Sequence, residues 1–446
     1  LSEGSDSSVF PKGVNHLFIF FFFNFVSCLP LMGSPMLLYA ESLGASAKIT
    51  GIIFGLTPLM VALQIPAAGY VSQFGYKRFI ATGWTIRLIF VLPLIAVPLL
   101  HGCVSQETQL AIVIGSLFCF NFIRGIASTA WFPWITGLIP ENIRGRYLTW
   151  ENACYSIGSL LCLLLTASLL GANPASSKFA VLFSLSLITG LISLWFVYQV
   201  PDAPVNPEEI SHKEPAPWRE ILRHSSFRKL LGVHFIWAVL MGGLMPFIVK
   251  YLKGPVGMDY DSVIYTDAAK YVGGLVTLWF LHSRLDRLGS RPLMVLAGAG
   301  WVLVVLALVG MSCGLIEVKL PVVCVVAVVI GFAFCTFGMS LTKLVMGTVP
   351  DAGKSHFFAM YSVVGSLTLG LFPFLWGTLI DSLTGVEIIR FGLNWNQYSI
   401  SFSLLIGILA LLFLQVLGLE EEKAANFNQL VRDLMRNNPL RDWLRR

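Results

Sequence analysis

Charge is scarce in this sequence. Asp, Glu, Lys and Arg together supply 12% of its 446 residues, about half the share of a soluble chain. A soluble protein of this length needs far more polar surface. Chemistry-bearing patterns are scarce too. There is no CxxC, no HExxH and no Cys/His cluster at metal-ligand spacing. The eight cysteines lie mostly in apolar runs, as Cys28, Cys119, Cys154, Cys162, Cys324 and Cys335 do, and read as buried free thiols. Cys103 and Cys313 fall near the non-cytoplasmic ends of such runs, and nothing in the sequence argues for a disulfide between them. The nearest approach to a phosphate loop is TVPDAGKS at 348–355, with Thr348 where the first glycine belongs and no strand before it. That sets aside an ATP-driven pump. Gly310-Met311-Ser312-Cys313-Gly314 fits GxSxG, but at a helix end instead of a strand-to-helix turn. Asp259-Tyr260-Asp261 is too short to be a metal motif. No enzyme, cofactor or metal site is therefore expected. No signal-cleavage pattern follows the polar opening LSEGSDSSVFPKG, and the first apolar run is too long for a signal core.

What the sequence has is hydrocarbon. Apolar residues make up 56% and mean hydropathy is +0.76. A bilayer core of about 30 Å needs about 20 residues of helix per crossing. Twelve runs are long enough, at about 14–39, 49–73, 79–100, 108–132, 147–171, 178–200, 229–252, 262–283, 291–313, 319–345, 356–380 and 397–418. Prolines within them, such as Pro30, Pro58, Pro93 and Pro246, are tolerated in spans and permit bends. One set of loops carries Lys77, Arg78, Arg144, Arg146, Arg219, Arg223, Arg228, Lys229, Arg284, Arg287, Arg291 and Lys354. The opposite set carries only Lys48, Lys178, Lys250, Lys253, Lys319 and Arg390. The positive-inside rule puts the richer set and both termini in the cytoplasm. It also explains the net charge of +6 without a nucleic-acid partner.

The long polar break at 201–228 carries five prolines up to Pro217, then PWREILRHSSFRKLL. It reads as a cytoplasmic linker ending in a short surface helix, with Trp218, Ile221 and Leu222 on one face. The expected organisation is a six-span bundle at 1–200, the linker at 201–228, a second six-span bundle at 229–418 and a tail at 419–446. In that tail Phe427, Leu430, Val431, Leu434 and Met435 recur at helical spacing among basic residues, as in a helix lying on the inner leaflet.

The two halves echo each other. The loop after the second run is GYVSQFGYKR at 69–78, and the loop after the eighth is HSRLDRLGSR at 282–291. Pro140-Glu141 answers Pro350-Asp351, and YSIGSL at 155–160 answers YSVVGSL at 361–367. The offsets, about 213, 210 and 206 residues, keep order and nearly constant spacing, which argues for duplication of a six-span unit. Such repeats build transporters whose site lies near the bilayer midplane.

On these residues the chain resembles the major facilitator superfamily, over essentially all twelve runs. That family's loop between spans two and three has the form G-x3-D-R-x-G-R-R. Here Gly69, Gly75, Lys77 and Arg78 match, while Ser72 and Gln73 replace the acid and the arginine. The second copy keeps Asp286, Arg287, Gly289 and Arg291, with His282 at the first glycine. The resemblance implies a cytoplasmic latch in which Asp286 meets the start of span five near Arg144 or Arg146. The degenerate first copy would be held by Lys77 or Arg78 against Asp351. A carboxylate suits a helix start because unpaired N–H groups and the positive dipole end lie there. Arg124, in FNFIRGIASTAW, partly matches the family's R-x-x-x-G-x-G pattern in span four, and no G-P-x-x-G-P of drug–proton antiporters occurs in span five.

The resemblance also makes spans one, four, seven and ten the lining of a central cavity. In this chain they carry Asn24, Ser27, Asn121, Arg124, His234, Trp237, Thr336, Met339 and Ser340 as candidate solute contacts. A fixed charge within a span is costly and usually faces the protein interior. Each neutral polar residue taken singly is more often a helix–helix hydrogen bond. Asp267, His234 and Arg124 are the candidates for proton coupling; Asp267 and Lys270, three apart, equally suit an intrahelical ion pair. The balance of these charges is positive, which leans toward an anionic or zwitterionic solute. The expectation is an all-α membrane protein of twelve helices in two six-helix pseudo-symmetric bundles. It would work as a monomer in membrane lipid, carrying a small solute across a cell membrane by alternating access, with protons as a candidate co-substrate. A non-transporting sensor or scaffold of the same fold and a drug efflux antiporter are the alternatives.

Overall fold

The computed structural model describes residues 13–203, 218–281, 289–349, 354–390 and 392–419. Twelve long helices account for most of them. They are α1 Val14–Ser42, α2 Ala47–Val71, α3 Tyr76–Leu99, α4 Gln106–Leu138, α5 Glu141–Leu170 and α6 Ser176–Gln199. After the linker come α7 Ser225–Lys253, α8 Tyr260–Leu281, α9 Ser290–Ser312, α10 Leu320–Thr348, α11 Lys354–Ser382 and α12 Gln397–Leu417. Among the described residues, 11 helices are long and apolar enough to cross a membrane, and α8 is outside that set. The charged pair Asp267 and Lys270 lowers the hydropathy of α8. Its 22 residues still reach about 33 Å at about 1.5 Å each, enough for a crossing.

Local chemistry sets the helix limits. Ser46 and Ser105 cap α2 and α4 by accepting from Ile49 N and Thr108 N. Asn396 caps α12 through a reciprocal pair with Ser399. Proline explains the irregularities. α1 breaks at Gly33, just before Pro35, and α3 breaks at Phe90, just before Pro93. In α2 and α4, 3₁₀ turns at Met60–Leu63 and Ser128–Ala130 lie beside Pro58 and Pro133. Each proline removes one ladder N–H, and the backbone tightens or bends there.

The chain divides into two compact units: Leu1–Pro215 with Leu252–Ile264, and Ala216–Tyr251 with Tyr265–Arg446. The segment Leu252–Ile264 was expected in the second bundle and instead packs with the first. Two backbone bonds account for this, Tyr260 N to Ala172 O at 3.1 Å and Asp261 N to Gly171 O at 3.2 Å. The Tyr260 ring also sits 3.9 Å under the Lys253 ammonium.

In the first unit α1 packs along α5 and α6, and α3 along α4 and α6. Its core is aromatic: Phe20 stacks on Trp84 at 5.1 Å, and Trp131 and Trp134 close the cluster. Small residues let helices touch. A Cβ on Gly125 would collide with the Met60 carbonyl of α2, and Gly83 of α3 abuts Ala127. In the second unit α9 lies between α10 and α12. Gly273 and Gly331 bring the backbones of α8 and α10 together, and Thr277 donates across the seam to Phe332 O at 3.1 Å.

A short hairpin, β1 Ile388–Arg390 with β2 Leu393–Trp395, precedes α12. Of the linker helix, Trp218–Arg223 is described. Ile221 is buried, while Leu222 is 43% exposed, so the expected shared apolar face is held by Ile221 alone of those two. The tail helix expected at 427–436 lies outside the described residues. All eight cysteines, Cys103 and Cys313 included, are free.

Candidate functional site

Two buried arginines dominate the first unit. Arg124 lies on α4 one turn beyond Phe120. Its Nη2 donates to the Thr57 carbonyl of α2 at 3.3 Å, beside the 3₁₀ turn of that helix. Thr57 also donates its hydroxyl to Asn121 Oδ1 at 3.0 Å, and Asn121 donates to Leu117 O at 2.9 Å. Asn121 and Arg124 therefore share a face, and that face meets Thr57.

Arg87, on α3, was not singled out from the sequence. It is only 2% exposed, although it stands in the middle of a membrane helix. Its Nη2 donates to Asn24 Oδ1 of α1 at 2.6 Å. Its guanidinium carbon lies 5.0 Å from the Trp84 ring and 5.4 Å from the Phe120 ring. Asn24 also receives a contact from Cys28 Sγ at 3.9 Å, one turn along α1. Arg87 lies against the Phe120 ring, which stands one helical turn before Arg124 on α4. No carboxylate neutralises either one among the described residues, and the Nε of each has no hydrogen-bond partner. The sequence signal was available: an arginine nine positions into the run at 79–100 meets the same test as Arg124.

Ser27 is not part of this cluster. It donates to Ser186 O of α6 at 2.6 Å, and Ser186 donates back to Ser27 O, so the pair ties α1 to α6. This is the helix–helix role that neutral polar residues in spans usually play.

In the second unit the candidates form an aromatic cluster. Trp237 stacks on Phe337 at 4.2 Å and meets Trp301 edge-on at 5.4 Å. His234 stacks on Tyr361 at 3.9 Å, and Gly365 leaves room for its imidazole. Thr336 and Ser340 are fully buried and Met339 is half-buried. His234 Nδ1, Thr336 Oγ1, Ser340 Oγ, Trp301 Nε1 and Trp376 Nε1 are buried with no hydrogen-bond partner among the described residues. Helical serine and threonine normally satisfy themselves on the preceding turn. This unit thus holds several polar atoms free to meet a ligand or water. Asp267 and Lys270 form an intrahelical ion pair on α8, 13% and 20% exposed. A recess of about 230 Å³ between α9 and α12 is lined from Val302 to Phe413 by apolar side chains only, and it contains none of these groups.

The loop candidates fall into two sets. Gly75 and Gly289 both adopt positive φ, +78° and +83°, and immediately precede α3 and α9. The two copies of the loop motif therefore share a backbone turn as well as letters. Gly69 is exposed near the end of α2. Lys77 is held within the first unit: its Nζ donates to Tyr198 O at 2.9 Å, and its backbone N donates to Asp202 Oδ1 at 3.2 Å. Asp202 was not anticipated. It caps the start of α3 from just beyond the end of α6. Arg78 is exposed. Arg291 donates to Leu417 O at 2.7 Å and closes α9 onto α12. Arg144 and Arg146 lie in the first turns of α5. Asp286, Arg287 and Asp351 lie outside the described residues.

Twelve long helices among the described residues, 11 of them apolar enough to cross a membrane, with buried arginines on α3 and α4, define a multi-pass α-helical membrane protein built around buried polar sites. The sequence matches the Major Facilitator Superfamily over residues 17–280, more than half of the chain, and the chain belongs to that family. It is therefore a transporter and not an enzyme. Solved structures agree in fold. The nucleoside transporter NupG is similar with a TM-score of 0.62 at 14% identity, covering 92% of this chain and 99% of that one. The xylose transporter XylE from E. coli, in an inward-open conformation, gives 0.62 at 14% identity over 91% and 93%. A bacterial homologue of the human lysosomal transporter Spinster gives 0.57 at 16% identity over 94% and 95%. No curated protein matches the chain in sequence.

Proposed function

We propose that this transporter is a secondary carrier that moves a small anionic or zwitterionic solute by alternating access. The observation that carries the sign of the solute is the charge balance inside the spans. Asp267 is matched by Lys270, while Arg124 has no carboxylate partner among the described residues. A cation left alone in a bilayer interior is expensive unless a counter-charge visits it, and here the solute supplies that charge. Within the second unit the aromatic cluster around Trp237, with His234, Thr336, Met339 and Ser340, offers apolar surface and polar atoms without partners among the described residues. Proton coupling falls to His234, which has a spare ring nitrogen. Asp267 acts first as the partner of Lys270. In this reading both termini face the cytoplasm, the protein works as a monomer, and Asp286 is the acid of the cytoplasmic latch.

The test is uptake into proteoliposomes, after thermal-shift screening of the purified protein against solute classes. Anionic and zwitterionic solutes should shift the unfolding temperature, and the best of them should accumulate inside. Accumulation of cationic or neutral solutes alone would refute the charge assignment. Flux indifferent to an imposed pH gradient would remove the proton from the scheme.

A further inference from the structure

Arg87, Arg124 and the groups around them make a built site with its own ligand chemistry. Asn24 occupies one Nη of Arg87, and the Trp84 and Phe120 rings flank its guanidinium. The side chain is thus fixed in position and orientation. Thr57 occupies one Nη of Arg124, and Thr57 is itself fixed by Asn121. In both arginines Nη2 makes the one hydrogen bond and the Nε–H beside it has no partner, so each guanidinium keeps unused donors. A guanidinium grips the two oxygens of a carboxylate or phosphate with two parallel hydrogen bonds. Phe120 and Arg124 are one helical turn apart, and Arg87 lies against Phe120, so both arginines belong to one cluster spanning α1 to α4. The cluster carries two positive charges and no carboxylate among the described residues. A charged residue inside a membrane helix is costly and by default marks a functional site, and Arg87 is deeply buried with an amide, not an acid, as its hydrogen-bond acceptor.

We infer that Arg87 and Arg124 form one oxyanion-binding site, held entirely by the first unit, that takes the dianionic group of the solute: two carboxylates or one phosphate. Arg87 is absent from the sequence candidates, which include Arg124 and Asn24. The inference rests on the carrier reading only in treating the bound anion as cargo; the site itself stands on the geometry.

The experiment is thermal unfolding of the full-length purified protein in detergent, titrated with sodium phosphate, with succinate, and with sodium chloride at matched ionic strength. A saturable rise with phosphate or succinate, absent with chloride, is expected, and the arm that saturates at lower concentration identifies the headgroup. Arg124→Gln and Arg87→Gln should each raise the apparent Kd roughly 10- to 100-fold, the usual effect of losing a charge-assisted hydrogen bond. Arg124→Lys, which keeps the charge and protects the fold, should raise it roughly tenfold, because a lysine lacks the fork. Equal shifts in all three salts, or wild-type titrations in either arginine variant, would overturn the site. The same preparation in liposomes separates the two ideas. Arginine-dependent binding without flux would overturn the carrier reading and leave the site standing. Flux of a solute with no oxyanion, and no anion-dependent shift, would overturn the site alone.

Discussion

Replacing Arg87 by Met should leave the ligand-free protein nearly as stable as the wild type while abolishing its response to anions. Arg87 makes one charge-assisted hydrogen bond, to Asn24 at 2.6 Å, of the kind worth about 1.5–3 kcal/mol. It makes two ring contacts, at 5.0 and 5.4 Å, each of the kind worth about 0.5–2 kcal/mol. Against these stands the cost of an arginine at the centre of a membrane helix, about 2.5–3.5 kcal/mol on insertion scales. The gains and the cost are of similar size. A methionine, which ends where Nε stands, keeps the packing of the aliphatic stem, offers its thioether to the rings and removes the charge; what remains is Asn24 without its donor, at about 1–3 kcal/mol. The net change should stay within about 2 kcal/mol. For a unit of this size 1 kcal/mol moves the midpoint by about 2–4 °C, so the ligand-free Tm should fall by less than about 8 °C. If Arg87 were instead half of a structural ion pair, its loss would strand a buried charge at about 3–5 kcal/mol. Differential scanning fluorimetry in detergent, with and without phosphate or succinate, reads both numbers. A drop beyond about 10 °C with the anion shift intact would show Arg87 to be half of a structural pair and not an anion ligand.

The other expectations are more local. Gly125→Val should destabilise by about 1–3 kcal/mol, because its Cβ meets the Met60 backbone. Gly115→Ala on the same helix, where nothing lies within 4 Å, should be neutral or mildly stabilising, and paired melting curves would show the contrast. Asp267→Asn alone should lower the Tm by stranding Lys270 in the membrane. Asp267→Asn with Lys270→Gln should recover most of it, and a double-mutant cycle with no coupling would contradict the ion-pair role. Asp202→Asn should weaken the cap on α3 by about 0.5–2 kcal/mol; faster amide exchange at 76–79 is the expected signature, and unchanged protection would remove Asp202 from that role. Asp286→Asn should slow uptake and raise cytoplasmic accessibility, as modification of introduced cysteines can measure; unchanged values in both would dispose of the latch.

Much of this architecture is written in the sequence at the level of long apolar runs, because a bilayer demands helices of one minimum length and little else. The loop glycines were legible for the same kind of reason: Gly75 and Gly289 stand where the backbone needs positive φ before a helix. Side-chain roles were less legible. Ser27 and Asn24 are three apart on α1, yet Ser27 is bound to Ser186 while Asn24 holds Arg87, and spacing on one helix cannot say which neighbour each will meet. Arg87 lies on α3, outside the four spans that the family resemblance makes the cavity lining, although it passes the same physical test as Arg124. Asp202 acts on Lys77 across 125 positions of chain, a distance at which pattern reading has no purchase. The place of Leu252–Ile264 in the first unit likewise depends on backbone bonds to Gly171 and Ala172, which leave no mark in the sequence.

A carrier whose cargo is gripped by buried arginines should show counterflow in proteoliposomes preloaded with an unlabelled dicarboxylate or phosphate compound and exposed to a trace of the same compound, labelled, outside. Rapid labelled uptake that depends on the preloaded anion and is lost in Arg124→Gln is the expected result. Absence of exchange for every anionic and zwitterionic solute, or equal exchange by the Arg124→Gln protein, would contradict it.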